Sequence, residues 1–137
     1  MALERFTWGG IGENTATGRL ILLLNQRLTR WADLLSRMQR RNYRLATSAT
    51  TLTENDDILQ VDTTGGSVVV SLPVAASVPG KRFDVKKMVA ANTVTLDAAG
   101  TDTIDGAGTF AWTTQYQNMT VESVVTATPA SFNWVIV

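Results

Sequence analysis

Apolar residues recur at steps of three and four in one part of the chain and at steps of two in the rest, and the switch falls near residue 46. Between Gly18 and Ala46 the positions Ile21, Leu24, Leu28, Trp31, Leu35, Met38, Asn42 and Leu45 follow one another at steps of 3, 4, 3, 4, 3, 4 and 3. This is a heptad, with Ile21, Leu28, Leu35 and Asn42 at a, and Leu24, Trp31, Met38 and Leu45 at d. It predicts an amphipathic helix over residues 18–46 with a seam fit for coiled-coil pairing. A helix packed on its own domain would show a similar stripe. Leu20, Leu22, Leu23 and Leu34 widen the apolar surface beyond a narrow seam, so the helix is expected to be covered on more than one side near its start. Asn42, a polar residue at an a position, would fix register at some cost in stability.

From Thr47 onward the period becomes two. Candidate strands are Asp57–Val61, Ser67–Leu72, Arg82–Val89, Thr93–Leu96, Thr103–Ile104, Thr109–Trp112, Met119–Val125 and Phe132–Val137. Turn-forming clusters separate them: Thr63–Gly66, Pro79–Gly80, Ala98–Gly100, Asp105–Gly108 and Thr128–Ala130. Val68, Val70 and Leu72 fall on one face of a strand, and Phe83, Val85 and Lys87 on one face of another. Phe132, Trp134 and Ile136 share a face of the last strand and are expected inside. Short strands at this spacing predict a small antiparallel sandwich or barrel. No internal repeat of solenoid period is visible.

Residues 1–17 form a third region, in which Phe6, Trp8 and Ile11 lie among Gly9, Gly10, Gly12, Asn14 and Thr15. Glycines oppose regular structure, whereas large apolar side chains oppose free disorder. The expectation is an extended leader ordered by docking onto a partner; a frayed terminus is the plainer alternative. The expected layout is therefore a docking leader (1–17), an amphipathic helix (18–46) and a β-module (47–137).

Composition sharpens the division. The helical stretch is rich in leucine and arginine and has no valine; the β stretch is rich in valine, threonine, glycine and alanine and holds all three prolines. Unbranched side chains lose little freedom in a helix, and stiff β-branched ones suit a pleated strand. Net charge is zero, yet residues 1–50 carry eight basic side chains against three acidic ones, and residues 51–137 carry four against nine. The two regions are thus expected to face different surroundings. Arg19, Arg27, Arg30, Arg37, Arg40 and Arg41, with Arg44 just beyond, would decorate the helix. A nucleic-acid surface and a solvated exterior are both readings of such a row. No phosphate loop or basic–aromatic interleaving supports direct nucleic-acid binding, so a solvated exterior or an acidic protein partner is preferred.

The chain has no cysteine and no histidine, which excludes disulfides, thiolate chemistry, imidazole bases and the usual zinc ligands. The run Leu20–Leu24 is far short of the roughly 20 apolar residues needed to span a bilayer. No basic segment followed by an apolar run marks a signal peptide, and no membrane role is expected. Asp102 and Asp105 suggest a carboxylate pair, or a calcium site with Asp97, but turn capping explains them more simply, and the same holds for Asp56–Asp57. Trp112 and Tyr116, with Trp134, are candidate sugar-stacking aromatics, although strand aromatics more often serve a core or an interface. No catalytic residue and no cofactor is expected, and an enzyme is the least favoured class.

Several stretches of the β part carry a likeness. These are TLTENDDILQVDTTGG, then SVVVSLP, PGKRFDVKK, NTVTLDAAGTDTIDG and GTFAWTT, and finally SFNWVIV. Over residues 50–137 this order resembles a β-module of bacteriophage virion proteins, found in tail fibres and spikes, head fibres and capsid decorations. The chain departs from that module at TATPASFNW, where a Ser-Asp-Gly-type turn is usual. The resemblance implies a trimeric structural module, and such modules sit on trimeric stalks, in keeping with the heptad. The leader and helix resemble no family. The expectation is a mainly β chain with an N-terminal helix, homotrimeric, made in a host cytoplasm and carried in a virion as a tail fibre or tail adaptor. Its partners would be copies of itself and a tail, portal-adaptor or capsid protein. A capsid decoration or head fibre is the first alternative. A glycan-binding module contacting a host surface glycan through Trp112 and Tyr116 is the second.

Overall fold

The computed structural model describes residues 16–38, 40–127 and 131–137. The leader residues Phe6, Trp8 and Ile11 lie outside them. The chain divides into two compact units, residues 1–40 and 41–137.

In the first unit, helix α1 runs from Ala16 to Met38. It ends earlier than the heptad predicts. Asn42 and Leu45 are not helical; Asn42 precedes, and Leu45 lies within, strand β1 (Tyr43–Ala46). The polar residues that extend the helical pattern belong to the second unit and are held by acidic groups within it. Arg41 pairs with Asp84 at 2.6 Å. The Asn42 backbone N–H donates to Asp57 at 2.8 Å. Arg44 grips both oxygens of Asp56 at 3.0 and 3.1 Å. A heptad count is blind to partners so distant in sequence, and here tertiary pairing overrides helical propensity.

The second unit is a two-sheet sandwich. Its remaining strands are β2 (Thr50–Thr51), β3 (Ile58–Val61), β4 (Val68–Ser71), β5 (Arg82–Lys87), β6 (Val94–Asp97), β7 (Thr109–Trp112), β8 (Asn118–Ala127) and β9 (Ser131–Ile136). One sheet has the order β1-β3-β5-β8-β9 and the other β2-β4-β6-β7. The sheets are mixed rather than antiparallel. Strands β1, β3 and β5 run parallel in the first sheet, and β2, β4 and β6 run parallel in the second. Through the first six strands the chain alternates between sheets, so each strand serves as the crossover that a parallel pair in the other sheet requires. The result is three successive coils. Ile58 pairs with Asp84 and Val68 with Val94, both 26 residues on, whereas Tyr43 pairs with Ile58 after 15 and Thr50 with Val70 after 20. The unequal first coil hides the winding from any search for a fixed period. After β6 the chain turns antiparallel: β7 pairs with β6, β8 with β5, and β9 with β8.

The inward positions of both sheets make one core. Leu59, Val61, Phe83, Val85, Val121 and Trp134 come from the first sheet, and Val68, Val70, Val94, Leu96 and Trp112 from the second. Phe132 and Ile136 pack partly buried against it, so the inward face predicted for the last strand is observed. Thr103–Ile104 makes isolated bridges, Ile104 to Ala107 and to Trp134, rather than a strand.

Candidate functional site

Four of the stretches that carry the likeness meet at Trp134. Its ring is fully buried, 5.5 Å from the ring of Phe83. Its indole N–H donates to the Pro73 carbonyl at 3.3 Å. Its backbone N–H donates to Thr103 at 2.8 Å, and its carbonyl accepts from Asp105 at 3.0 Å. Beside it the Asn133 side chain accepts the Thr103 N–H at 2.9 Å. Asp105 has φ of 49° and Gly106 has φ of 87°, the left-handed geometry that Asp and Gly tolerate in turns. The Asp105 carboxylate then caps the Ile136 N–H at 3.2 Å. The Leu-Pro step, the Pro-Gly-Lys-x-Phe stretch, the Ile-Asp-Gly turn and the terminal Asn-Trp thus form one junction. It fastens the last strand to the turns of the other sheet, and its chemistry is structural.

The other marked carboxylates behave alike. Asp102 accepts the Ala75 N–H at 2.7 Å. Asp57 accepts Lys81 at 2.6 Å as well as the Asn42 backbone N–H. Burial pushes the Asp57 carboxyl up, but the Lys81 and Asn42 hydrogen bonds and the charges of Lys81 and Arg41 outweigh it and hold it below the ordinary value. Asp56, opposed by burial, is lowered by Arg44 and Thr53; Asp84, likewise opposed, is lowered by Thr120 and Arg41. Among the described residues no group of three or more acidic, His or Cys side chains is placed to hold a metal ion.

Lys87 follows Phe83 and Val85 at steps of two, and that step places it inside. It is fully buried with those two residues. Its ammonium donates to the Thr63 hydroxyl at 3.1 Å, to the Ala91 carbonyl at 2.8 Å and to the Val89 carbonyl. Thr63 donates in turn to the Ala91 carbonyl, and the Asn92 amide donates to the Thr63 carbonyl at 2.7 Å. One ammonium therefore satisfies two carbonyls of the β5–β6 loop and the Thr63 hydroxyl, a role no apolar residue could fill.

Trp112 and Tyr116 do not form a sugar platform. Trp112 is 6% exposed and belongs to the core, with its ring 6.2 Å from Phe110. Tyr116 alone is open, at 61%, in a turn where its backbone has φ of 61°. The expected glycan contact at Trp112 is therefore corrected: inward alternation on β7 buries it.

Among the described residues the largest apolar exposure lies on α1. Leu24, Leu28, Trp31, Leu35 and Met38 are between 45% and 80% exposed, and Leu20, Leu23 and Leu34 are at least half exposed. The described part of the seam is thus Ile21 to Met38, with Asn42 and Leu45 removed to the β-module. The basic row shortens as well, because Arg41 and Arg44 are engaged in ion pairs within the β-module. No helix among the described residues is long and apolar enough to cross a membrane. No protein-family model matches the chain, and no curated protein matches it significantly.

Proposed function

We propose that this chain is a structural component of a bacteriophage virion: a homotrimer of the tail-fibre or tail-adaptor type, attached through its leader and helix, with the β-modules projecting. The observation that carries the reading is the seam on α1. Six positions at heptad spacing, Ile21 to Met38, lie on a helix whose large apolar side chains are mostly open to solvent. Burying a side chain such as Leu or Met is worth about 1.5–3 kcal/mol, so such a stripe is stable only when covered. The period of 3.5 is the one at which helices cover each other. Leu20 and Leu34, which flank the seam, widen it beyond what a two-stranded contact buries and favour two neighbours per helix. The resemblance over residues 50–137 supplies the virion setting, and the Trp134 junction gives its motif residues a common structural role.

The test is the content of purified particles of the phage that encodes the chain. Recovery of a few trimers per particle supports the tail placement. Dozens of copies or more would move the protein to the shell, as a decoration or head fibre. Absence from the particle would contradict a virion role.

A further inference from the structure

We infer that self-association does not end with the helix: Tyr43 and Leu45 on strand β1 form an apolar contact with the same strand in a second and third copy of this chain. The inference rests on the self-association reading above and extends it into the β-module. Its starting point is how β1 disposes its side chains. Tyr43 is 76% and Leu45 57% exposed, while the next residue, Ala46, is buried. Tyr43 lies beside its partly buried pair partner Ile58, and Leu45 beside Gln60, so Tyr43, Leu45 and Ile58 make an outward apolar patch at the β1 edge of the first sheet.

The polar side chains around that corner are all turned back onto their own module. Arg41 binds Asp84, the Asn42 side chain donates to the Asn55 carbonyl at 2.8 Å, and Arg44 binds Asp56 and Thr50. Arg41 and Asn42 stay exposed while so engaged, and the large apolar side chains that face outward between residues 41 and 46 are Tyr43 and Leu45. β1 is also an edge strand, paired on one side with β3 and first in the order of its sheet. Among the described residues no strand pairs with its other side, unlike β9, where Trp134 bridges to Ile104 and the Asp105 carboxylate caps Ile136. Exposed edges with outward apolar residues are surfaces that proteins cover.

The occupant follows from the covalent chain. Five peptide steps separate Met38 at the end of the seam from Tyr43, and five steps reach at most about 18 Å. Copies that share a helical seam therefore start their β1 strands within that distance of it. Among the described strands no other apolar edge is tethered so closely to the seam, so the covering surface is the same corner of the neighbouring copies.

The chain has no cysteine, which makes the test direct. In full-length protein, Tyr43→Cys is treated with a short bis-maleimide cross-linker, with Val74→Cys, an exposed position away from β1, as control. Linked pairs are expected for Tyr43→Cys at protein concentrations where the trimer persists, and none for Val74→Cys. In parallel, the double variant Tyr43→Asp with Leu45→Asp is expected to raise the concentration at which the trimer dissociates at least tenfold, with the β circular-dichroism signal unchanged because both residues point outward. Trimers that form no Tyr43→Cys links and dissociate at the wild-type concentration in the double variant would overturn this inference and leave the self-association reading standing. A wild-type chain that sediments as a monomer would overturn both.

Discussion

The indole N–H of Trp134 donates to the carbonyl of Pro73, 61 residues earlier in the chain and 3.3 Å away. This bond links the last strand to the turn that follows β4, and the same ring packs on Phe83 of β5. Trp134→Phe keeps most of the packing and removes the bond, leaving a partly buried carbonyl short of a donor, so it should cost about 1–2 kcal/mol. Trp134→Ala also opens a cavity and should cost about 3–5 kcal/mol. Urea unfolding followed by circular dichroism measures both, and a Trp134→Phe variant as stable as the wild type would show that the hydrogen bond adds nothing.

Asp105 holds a turn, and its substitutions should follow backbone rules. Its φ of 49° suits Asn as well as Asp, and its carboxylate oxygen accepts from Ile136. Asp105→Asn should therefore be nearly neutral, while Asp105→Ala should lose about 1–2 kcal/mol through the lost cap and the less tolerant backbone. A thermal melt distinguishes them. If Asn were as damaging as Ala, a charge-dependent role would be indicated instead.

Acid should loosen the β-module. Asp56, Asp57 and Asp84 have folded values below the ordinary 3.8 because Arg44, Lys81 and Arg41 and their hydrogen bonds favour the charged form over the opposing effect of burial. A carboxyl lowered on folding gives stability that is complete above its unfolded value and is lost as pH falls through the folded one. Unfolding free energy should thus be flat from neutral pH to about 5 and fall below about 4. Asp57→Asn should reduce the slope. A profile that fell between pH 7 and 5 would contradict this assignment.

Lys87 should be protected and hard to replace. Its ammonium is fully buried against Thr63, Val89 and Ala91. In the native protein an amine-reactive acylating reagent should modify Lys86 well ahead of Lys87, as read by peptide mass mapping. Lys87→Met fits the volume but strands the loop carbonyls, and should cost about 2–4 kcal/mol. Equal labelling of the two lysines would show that the loop opens readily.

How far the sequence predicts this structure depends on the range of the interactions. Strands β3, β4, β7 and β9 fall close to where alternation and turn residues place them, because an inward–outward pattern is a local record of burial. The seam from Ile21 to Met38 is legible for the same reason. Strand β1 is hidden, because Asn42 and Leu45 continue the heptad and only Asp56, Asp57 and Asp84, far along the chain, draw that segment into the sheet. The parallel pairing is hidden too, since unequal coils leave no repeat. The Trp134 junction lay in view as separate short motifs, but their convergence is a property of the fold. Burial of Trp112 and Lys87 follows from alternation once the strand faces are known.

The central claim is that the exposed seam of α1 is covered by copies of the same chain. Sedimentation equilibrium of the purified full-length protein at micromolar concentration tests it most directly. The predicted result is a single species of three times the 14.9 kDa chain mass, shifting toward monomer in Leu28→Asp with the β-module still folded. A wild-type protein that remains a 14.9 kDa monomer over the same range would contradict it.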